Sequence, residues 1–303
     1  MKTIKGIIPP MITPLKGDDQ IDREGTVRLT EHILAGGVHA LFLLGTTGEA
    51  QSLSYKCRYD FVELVCRTVA GRVPVLVGVT DTSLDESVKL ARHAAACGAV
   101  GVVAAAPYYF APSQQELIEY YTALADALPL PLFLYNMPSH VKVFLEPATV
   151  KVLADHPNIV GLKDSSANMT YFQTLLYHLG DREDFALYVG PEELTGESVV
   201  MGADGGVNGG ANIFPELYVE MYDAAAAHDI ARVRRLQHRI MQISTSLYTV
   251  GKYGSSYLKG VKCALSLLGI CDDYLSYPYR KFRTEERDRI RQALGALGIR
   301  CGE

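Results

Sequence analysis

One lysine stands where it could act as a nucleophile. Lys163 directly follows the apolar run Ile159 to Leu162, and it alone among the twelve lysines lies at the end of a predicted buried strand. An amine in apolar surroundings loses solvation of its charged form, which favours the neutral form that attacks a carbonyl carbon. By position alone, a lysine that reaches out to solvent is the commoner case, so the assignment depends on its neighbours.

A tyrosine closes the preceding predicted strand. Tyr135 ends the apolar run that begins at Leu130, and the adjacent strand would bring it beside Lys163. A phenol is a weak acid and base, as the formation and dehydration of a carbinolamine require. The alternative is a buried aromatic residue whose hydroxyl is satisfied by the protein, which is the commoner case for a single tyrosine.

Two glycine-containing loops could bring backbone N–H groups to a ligand. Gly45-Thr46-Thr47-Gly48 combines N–H groups with two hydroxyls at the start of a helix, which suits a carboxylate. Gly205 to Gly210 lacks the GxGxxG spacing and downstream acid of a dinucleotide-binding loop. It fits either a strand whose backbone approaches a ligand or a purely structural turn, and both remain open.

The elements that must position these residues recur about every 30 residues, the length of a strand plus a crossover helix. Because the strand candidates are almost continuously apolar, both faces should be covered, as in a parallel sheet wrapped by helices. Eight such units predict an α/β fold, a closed (β/α)8 TIM barrel. The eight runs are Gly6 to Ile8, Ala40 to Leu44, Val73 to Val79, Gly98 to Ala106, Leu130 to Tyr135, Ile159 to Leu162, Phe185 to Val189 and Gly205 to Val207.

The strand pattern stops near residue 228. We therefore predict a catalytic barrel over residues 1–228 and a three-helix C-terminal extension over residues 229–303, packed as one body because no low-complexity linker separates them. Ser83 to Glu86 and Ser113 to Glu116 are typical of capping boxes at helix starts in the barrel. The helices predicted for the extension are Asp229 to Val250, Ser255 to Leu268 and Thr284 to Leu297.

Composition argues against several kinds of partner. A net charge of -5 and a pI near 5.9 give no long-range attraction for nucleic acid. The uncharged stretch Ala94 to Gln115 contains glycines and prolines, so it predicts a helix end and a buried strand rather than a membrane span. The six cysteines lack metal-ligand spacing, so we expect free thiols and no metal site. No signal peptide is recognisable, and a cytoplasmic location is expected.

Four motifs occur in one order along the predicted barrel: Gly45-Thr46-Thr47-Gly48-Glu49, Pro107-Tyr108-Tyr109, Tyr135-Asn136-Met137-Pro138 and Gly161-Leu162-Lys163-Asp164. Together they are highly specific, and over essentially its whole length the chain closely resembles the dihydrodipicolinate synthase and N-acetylneuraminate lyase family of class I pyruvate-dependent aldolases. The resemblance implies a homotetramer, a dimer of dimers, that acts on pyruvate and an aldehyde or 2-keto acid. It implies no metal or diffusible cofactor, because a protonated imine serves as the electron sink.

The same resemblance implies roles for individual residues. Lys163 matches the Schiff-base lysine and Tyr135 the proton-transfer residue. Thr46 is implied to relay protons between Tyr135 and Tyr109, which would reach into the neighbouring subunit's site. The residues expected to bind substrate are Thr47, Gly48, His140, Ser165, Gly190, Glu192, Glu193 and Val207.

His140 bears on the branch of the family. The matching residue in the dihydrodipicolinate synthases is an arginine that engages the aldehyde's carboxylate, whereas a histidine lacks the bidentate fork and is only partly charged at neutral pH. Glu192, Glu193 and Ser165 instead match positions that hydrogen-bond sugar hydroxyls in the sialic acid enzymes. Gly209 departs from those enzymes, which have a serine there.

The leading expectation is a lyase that cleaves a 2-keto-3-deoxy sugar acid, N-acetylneuraminate-like acids included, to pyruvate and an aldehyde. The alternatives are a synthase that condenses pyruvate with aspartate semialdehyde, a Schiff-base dehydratase of sugar acids, and a noncatalytic pyruvate-binding regulator. The intact set of motif residues disfavours the regulator. Lysine feedback is not expected, because the matching positions differ from those of the synthases; they are Ala50, Gln51, Tyr55 and Thr82.

Overall fold

The chain folds around a ring of parallel strands. The computed structural model describes residues 4–301. Each strand lies beside its neighbour in sequence from β2 to β8, and β8 pairs with β1. The predicted (β/α)8 barrel is therefore confirmed. The strands are β1 (Gly6–Ile7), β2 (Leu41–Leu43), β3 (Val75–Gly78), β4 (Gly101–Ala105), β5 (Leu132–Asn136), β6 (Ile159–Asp164), β7 (Ala186–Val189) and β8 (Gly205–Gly206).

The ring closes between β2 and the segment that follows β1. Pro10 forms a parallel bridge with Phe42. The N–H of Phe42 donates to the carbonyl of Pro9 at 3.0 Å, and the N–H of Met11 donates to the carbonyl of Phe42 at 2.8 Å. Closure leaves the barrel without a free strand edge. It also brings the loops after the strands around one opening.

Helices surround the barrel and continue into the C-terminal extension. Short 3₁₀ turns follow β2, β7 and β8, at Ala50–Ser52, Glu192–Leu194 and Gly209–Asn212, and a two-stranded hairpin joins Leu15–Gly17 to Gln20–Ile21. In residues 4–301 the α-helices are α1 (Arg23–Ala35), α2 (Tyr55–Val69), α3 (Leu84–Ala96), α4 (Gln114–Ala127), α5 (Pro138–Val141), α6 (Pro147–Leu153), α7 (Met169–Leu179), α8 (Thr195–Val200), α9 (Pro215–Ala226), α10 (Ile230–Leu247), α11 (Ser256–Leu267) and α12 (Thr284–Ala296).

One of the two predicted capping boxes is only half present. At α4, Ser113 accepts from the N–H of Glu116 and the Glu116 carboxylate accepts from the N–H of Ser113, so that box is confirmed. At α3, Ser83 accepts from the N–H of Glu86. The Glu86 carboxylate instead accepts from Lys89 at 2.6 Å, because a charged ammonium one turn away competes for the same oxygens.

The extension shares its core with the barrel. Buried side chains of α10, α11 and α12, among them Ile243, Val261 and Ile290, belong to the same apolar cluster as the barrel strands. All six cysteines are free thiols, as predicted. The uncharged stretch contains the end of α3 and the buried strand β4, also as predicted. None of the described helices is both long enough and apolar enough to cross a membrane.

Candidate active site

A cavity of about 740 Å³ opens where the strands end and the βα loops begin. In a barrel of this kind the loops after the strands carry the chemistry, because side chains from several strands converge there. The structure brings ten of the predicted site residues to its wall. They are Thr46, Thr47, Tyr135, His140, Lys163, Ser165, Gly190, Glu192, Glu193 and Val207.

Lys163 is buried in this wall. It belongs to β6 itself, which continues to Asp164, so the strand is two residues longer than predicted. Its Nζ lies 4.1 Å from the ring centroid of Tyr135 and 5.1 Å from that of Phe42. Among residues 4–301 no carboxylate forms an ion pair with this amine. Lys163 therefore faces the cavity with its amine against two aromatic rings.

Tyr135 is paired with Lys163 in the register of β5 and β6. Its hydroxyl lies 3.2 Å from the hydroxyl of Thr46. Burial alone would raise the pKa of Tyr135, but the charge of Lys163 and hydrogen bonds from Thr46, Ser165 and Lys163 outweigh burial, so the pKa is lowered from its ordinary value. A phenol with a lowered pKa loses its proton more readily, which suits a catalytic base.

Tyr109 is not brought to the cavity of its own subunit. Its side chain is 90% exposed and contacts the 82% exposed Phe110 edge to face, with ring centroids 5.2 Å apart. The backbone of Tyr109 has a φ of +89°, which is rare for an aromatic residue. The resemblance had assigned Tyr109 to a neighbouring subunit's site, and the outward position leaves that assignment open.

The loop after β2 uses its own backbone to hold its shape. The N–H of Gly48 donates to the carbonyl of Gly45 at 3.0 Å, and the carbonyl of Gly48 accepts from the Thr13 hydroxyl at 2.7 Å. Gly48 thus stabilises the loop and does not line the cavity, although we had expected it to bind substrate. Thr47 does line the cavity, and its Oγ1 lies 3.4 Å from the hydroxyl oxygen of Tyr257.

The glycines of β8 and of the turn after it divide between the two roles left open by the sequence, close strand packing and approach to a ligand. A Cβ on Gly205 would lie 1.9 Å from the carbonyl oxygen of Gly6, so Gly205 is required by strand packing. Gly209 lines the cavity, and a Cβ there would lie 1.5 Å from the hydroxyl of Tyr257. Directly after the neighbouring strand β7, a Cβ on Gly190 would meet the Ser165 hydroxyl at 2.1 Å. Gly190 and Gly209 therefore leave room for hydroxyl groups in the wall.

The two acidic residues after β7 differ in their surroundings. Glu192 is buried, and one of its oxygens accepts from the hydroxyls of Tyr218 at 2.5 Å and Tyr248 at 2.8 Å. Its other oxygen accepts from the N–H of Gly210 at 2.7 Å. Burial raises the pKa of Glu192 to about 7 even though these hydrogen bonds oppose the shift. Glu193 is only partly buried, so its carboxylate is the more accessible of the two.

His140 lies at the exposed mouth of the cavity. Its Nδ1 is 2.9 Å from the hydroxyl of Ser139. Partial loss of solvent around the ring, together with the charges of Lys142 and Lys163, lowers the pKa of His140. The imidazole is therefore mainly neutral at neutral pH. Lys142 also lines the mouth, with its ammonium donating to the carbonyl of Ser139 at 2.7 Å.

The C-terminal extension contributes a side of the cavity that the sequence did not reveal. Its residues at the wall include Tyr248, Tyr257 and Tyr279. Tyr257 is separated from Thr47 by 210 positions, and no local pattern marks it as a site residue. Its place at the start of a predicted helix was the only available signal.

Comparison with known proteins agrees with this architecture. Residues 3–297 match the model of the dihydrodipicolinate synthetase family. The chain belongs to this family. Members of the dihydrodipicolinate synthetase family include lyases and aldolases, and the chain is accordingly a pyruvate-dependent lyase of the class I, lysine Schiff-base type.

Relatives within the dihydrodipicolinate synthetase family carry more than one activity in their names. A 4-hydroxy-tetrahydrodipicolinate synthase of Methanopyrus kandleri is 33% identical over 298 residues, which cover 98% of this chain and 97% of that one. The probable 2-dehydro-3-deoxy-D-pentonate aldolase YjhH of Escherichia coli is also 33% identical, over 99% of both chains. The solved dihydrodipicolinate synthase of Bacteroides thetaiotaomicron is 59% identical, with a TM-score of 0.95 over 98% of this chain and 99% of that one.

Proposed function

We propose that Lys163 forms the Schiff base and that the enzyme cleaves a 2-keto-3-deoxy sugar acid to pyruvate and a hydroxyaldehyde. The observation that carries the proposal is the placement of the Lys163 amine 4.1 Å from the Tyr135 ring, with the Tyr135 hydroxyl 3.2 Å from Thr46. A nucleophile, a proton acceptor and a hydroxyl relay thereby meet in one cavity.

The reaction can be written with the Lys163 amine and the Tyr135 phenol. The neutral Lys163 amine adds to the C2 carbonyl and water leaves, which gives a protonated imine. The Tyr135 phenolate takes the proton of the C4 hydroxyl, the C3–C4 bond breaks, and its electron pair moves toward the imine nitrogen. An enamine and the aldehyde result. Protonation of C3 and addition of water to the imine then release pyruvate and restore the amine.

The choice of a polyhydroxylated substrate is supported by the distal part of the cavity. A mainly neutral His140 gives no bidentate cation for a carboxylate on the aldehyde. Glu193 and Ser165 can accept hydrogen bonds from hydroxyl groups. Glu192 is engaged by protein donors, so we assign it no direct contact with substrate. The name of the YjhH relative is in line with this class of substrate.

A second candidate is condensation of pyruvate with aspartate semialdehyde. The names of the Bacteroides thetaiotaomicron and Methanopyrus kandleri relatives favour it. Lys142 favours it as well, because its ammonium lies at the mouth near His140 and could attract a carboxylate. In either reaction we propose a homotetramer in the cytoplasm, with Tyr109 completing a neighbouring subunit's site.

Two measurements test the proposal. Pyruvate with borohydride should modify Lys163 irreversibly, since reduction fixes the imine, and peptide mass mapping should place the adduct there and not on the cavity's other lysine, Lys142. A different site, or no adduct, would refute the Schiff-base assignment. Coupled assays should then give a kcat/KM at least about tenfold higher for cleavage of a 2-keto-3-deoxy sugar acid than for condensation with aspartate semialdehyde. Faster condensation would replace the proposed substrate with the second candidate.

A further inference from the structure

The hydroxyl of Tyr257 lies in the cavity although Tyr257 belongs to the C-terminal extension. It is the second residue of α11, and its side chain lines the same wall as Lys163 and Thr47. Its hydroxyl oxygen lies 3.4 Å from Oγ1 of Thr47, a separation at the long end of hydrogen bonding. A small ligand at Thr47 would therefore meet the Tyr257 hydroxyl as well.

The Tyr257 ring is held in place by a chain of buried contacts. It packs against the Tyr248 ring nearly at right angles, with centroids 4.9 Å apart. The Tyr248 hydroxyl donates to Glu192 at 2.8 Å, and Glu192 is itself fixed by Tyr218 and the N–H of Gly210. Glu192 therefore orients Tyr248, and Tyr248 restricts where the Tyr257 ring can lie.

Gly209 provides an independent sign that the Tyr257 hydroxyl needs this position. A Cβ at residue 209 would lie 1.5 Å from that hydroxyl oxygen and 2.7 Å from the ring carbon that carries it. The φ of Gly209 is not in the left-handed region, so the backbone does not require glycine there. Glycine at residue 209 instead leaves free the volume that a Cβ would occupy, and the Tyr257 hydroxyl fills that volume.

The chemistry of the Tyr257 hydroxyl suits a hydrogen-bond donor. Burial and the charge of Glu192 raise the pKa of Tyr257, which keeps the phenol protonated at neutral pH. A protonated phenol beside a threonine hydroxyl offers two donors to one anion. Hydrogen bonds to a carboxylate are about twice as strong as those between neutral groups.

We infer that Tyr257 is a substrate-binding residue whose hydroxyl donates to the carboxylate of the keto acid held at Thr47, with Glu192 and Tyr248 as positioning residues. The inference rests on the proposed function and on the expectation from sequence that the loop after β2 holds the carboxylate of the keto acid. It assigns Glu192 an indirect role: the acid orients a tyrosine, and the tyrosine contacts the substrate.

The direct test is borohydride trapping at graded pyruvate concentrations. Tyr257→Phe removes one hydrogen bond to a charged group, so the pyruvate concentration for half-maximal trapping should rise about tenfold. Trapping at saturating pyruvate should remain complete, because Lys163 is unchanged. Tyr253→Phe is the matched control, since Tyr253 lies in the same part of the chain, is 77% exposed and does not line the cavity. Equal curves for wild type and Tyr257→Phe would overturn the inference.

Two further variants separate a substrate contact from a packing role. Gly209→Ala should displace the Tyr257 hydroxyl and raise the half-saturating concentration. The rise should be smaller in a Tyr257→Phe background, where the added Cβ meets only the ring carbon, at 2.7 Å, and no hydroxyl is left to displace. Glu192→Gln should raise the half-saturating concentration in wild type but not in Tyr257→Phe, because it acts through the hydroxyl. Equal shifts in both backgrounds would show that Glu192 is merely structural and would overturn its positioning role.

Failure of the proposed function would be recognised separately. If wild-type enzyme gives no adduct on Lys163, the Schiff-base assignment fails, whatever Tyr257 does. Calorimetric titration of Lys163→Ala protein with pyruvate measures the affinity for pyruvate when no imine can form, and this affinity includes the contact to the carboxylate. Tyr257→Phe should weaken that binding about tenfold as well, and unchanged binding would count against Tyr257 alone.

Discussion

The carboxylate of Glu49 and the ammonium of Lys262 form an ion pair that is buried between the loop after β2 and helix α11. The other Glu49 oxygen accepts from the N–H of Ser276 at 2.9 Å, and Lys262 donates to the carbonyl of Tyr274 at 2.7 Å. The loop that carries Thr46 and Thr47 is thus fastened to the C-terminal extension by charged hydrogen bonds.

Removing one partner of this pair should be strongly destabilising. Lys262→Met leaves the Glu49 carboxylate buried without its cation, which costs about 3–5 kcal/mol in the free energy of unfolding. Chemical denaturation at a fixed protein concentration measures this. Lys56→Met, which removes an exposed partner of Asp60, is the control and should cost less than about 1 kcal/mol. If Lys262→Met lowered the free energy of unfolding no more than this control, the buried Glu49 carboxylate would not need Lys262 for stability.

Tyr135→Phe should slow turnover while leaving Schiff-base formation detectable. Loss of a positioned acid or base lowers kcat by about 10²-fold to 10⁴-fold, because the proton of the substrate hydroxyl then has no acceptor. Steady-state assays measure the loss, and borohydride trapping shows whether pyruvate still reaches Lys163. The exposed Tyr177→Phe serves as the control. An unchanged kcat would mean that Tyr135 only packs against Lys163.

Glu192 should make stability depend on pH in a defined direction. Its pKa rises from 4.5 to about 7 in the folded protein, so between these values the folded state holds a proton that the unfolded state has lost. Stability from this group is therefore present below pH 4.5 and is lost as the pH rises through about 7. The melting temperature of wild type minus that of Glu192→Gln should be larger at acidic than at alkaline pH. If the difference between the two melting temperatures did not change with pH, the raised pKa of Glu192 would be contradicted.

Mixed tetramers should recover activity if Tyr109 serves a neighbouring site. Tyr109→Phe subunits keep Lys163, and Lys163→Ala subunits keep Tyr109, so reassembly creates some sites with both residues. Each parent should be nearly inactive and the mixture active. Native mass spectrometry confirms mixing. Fully mixed tetramers without activity would show that each subunit completes its own site.

Much of the fold followed from local sequence pattern. Apolar runs at a regular spacing specified eight buried parallel strands, since a strand covered on both faces must be apolar throughout. The strand ends then located Tyr135 and Lys163, because a parallel barrel gathers the ends of its strands at one mouth. The order of the four motifs is enough to indicate the family.

Other features depended on partners that lie far apart in the chain. The sequence suggested that Glu192 and Glu193 share one role, but only packing shows Glu192 enclosed by Tyr218, Tyr248 and Gly210. Nothing local pairs Thr47 with Tyr257, 210 positions away, or Glu49 with Lys262. The spacing of apolar residues along a helix or strand determines which face of that element is buried. The hydrogen-bond partner of a residue such as Thr47 or Glu49 depends instead on how the C-terminal extension packs against the barrel. Sequence thus determined the barrel and the lysine that we propose as the nucleophile, and tertiary structure decided which side chains surround that lysine.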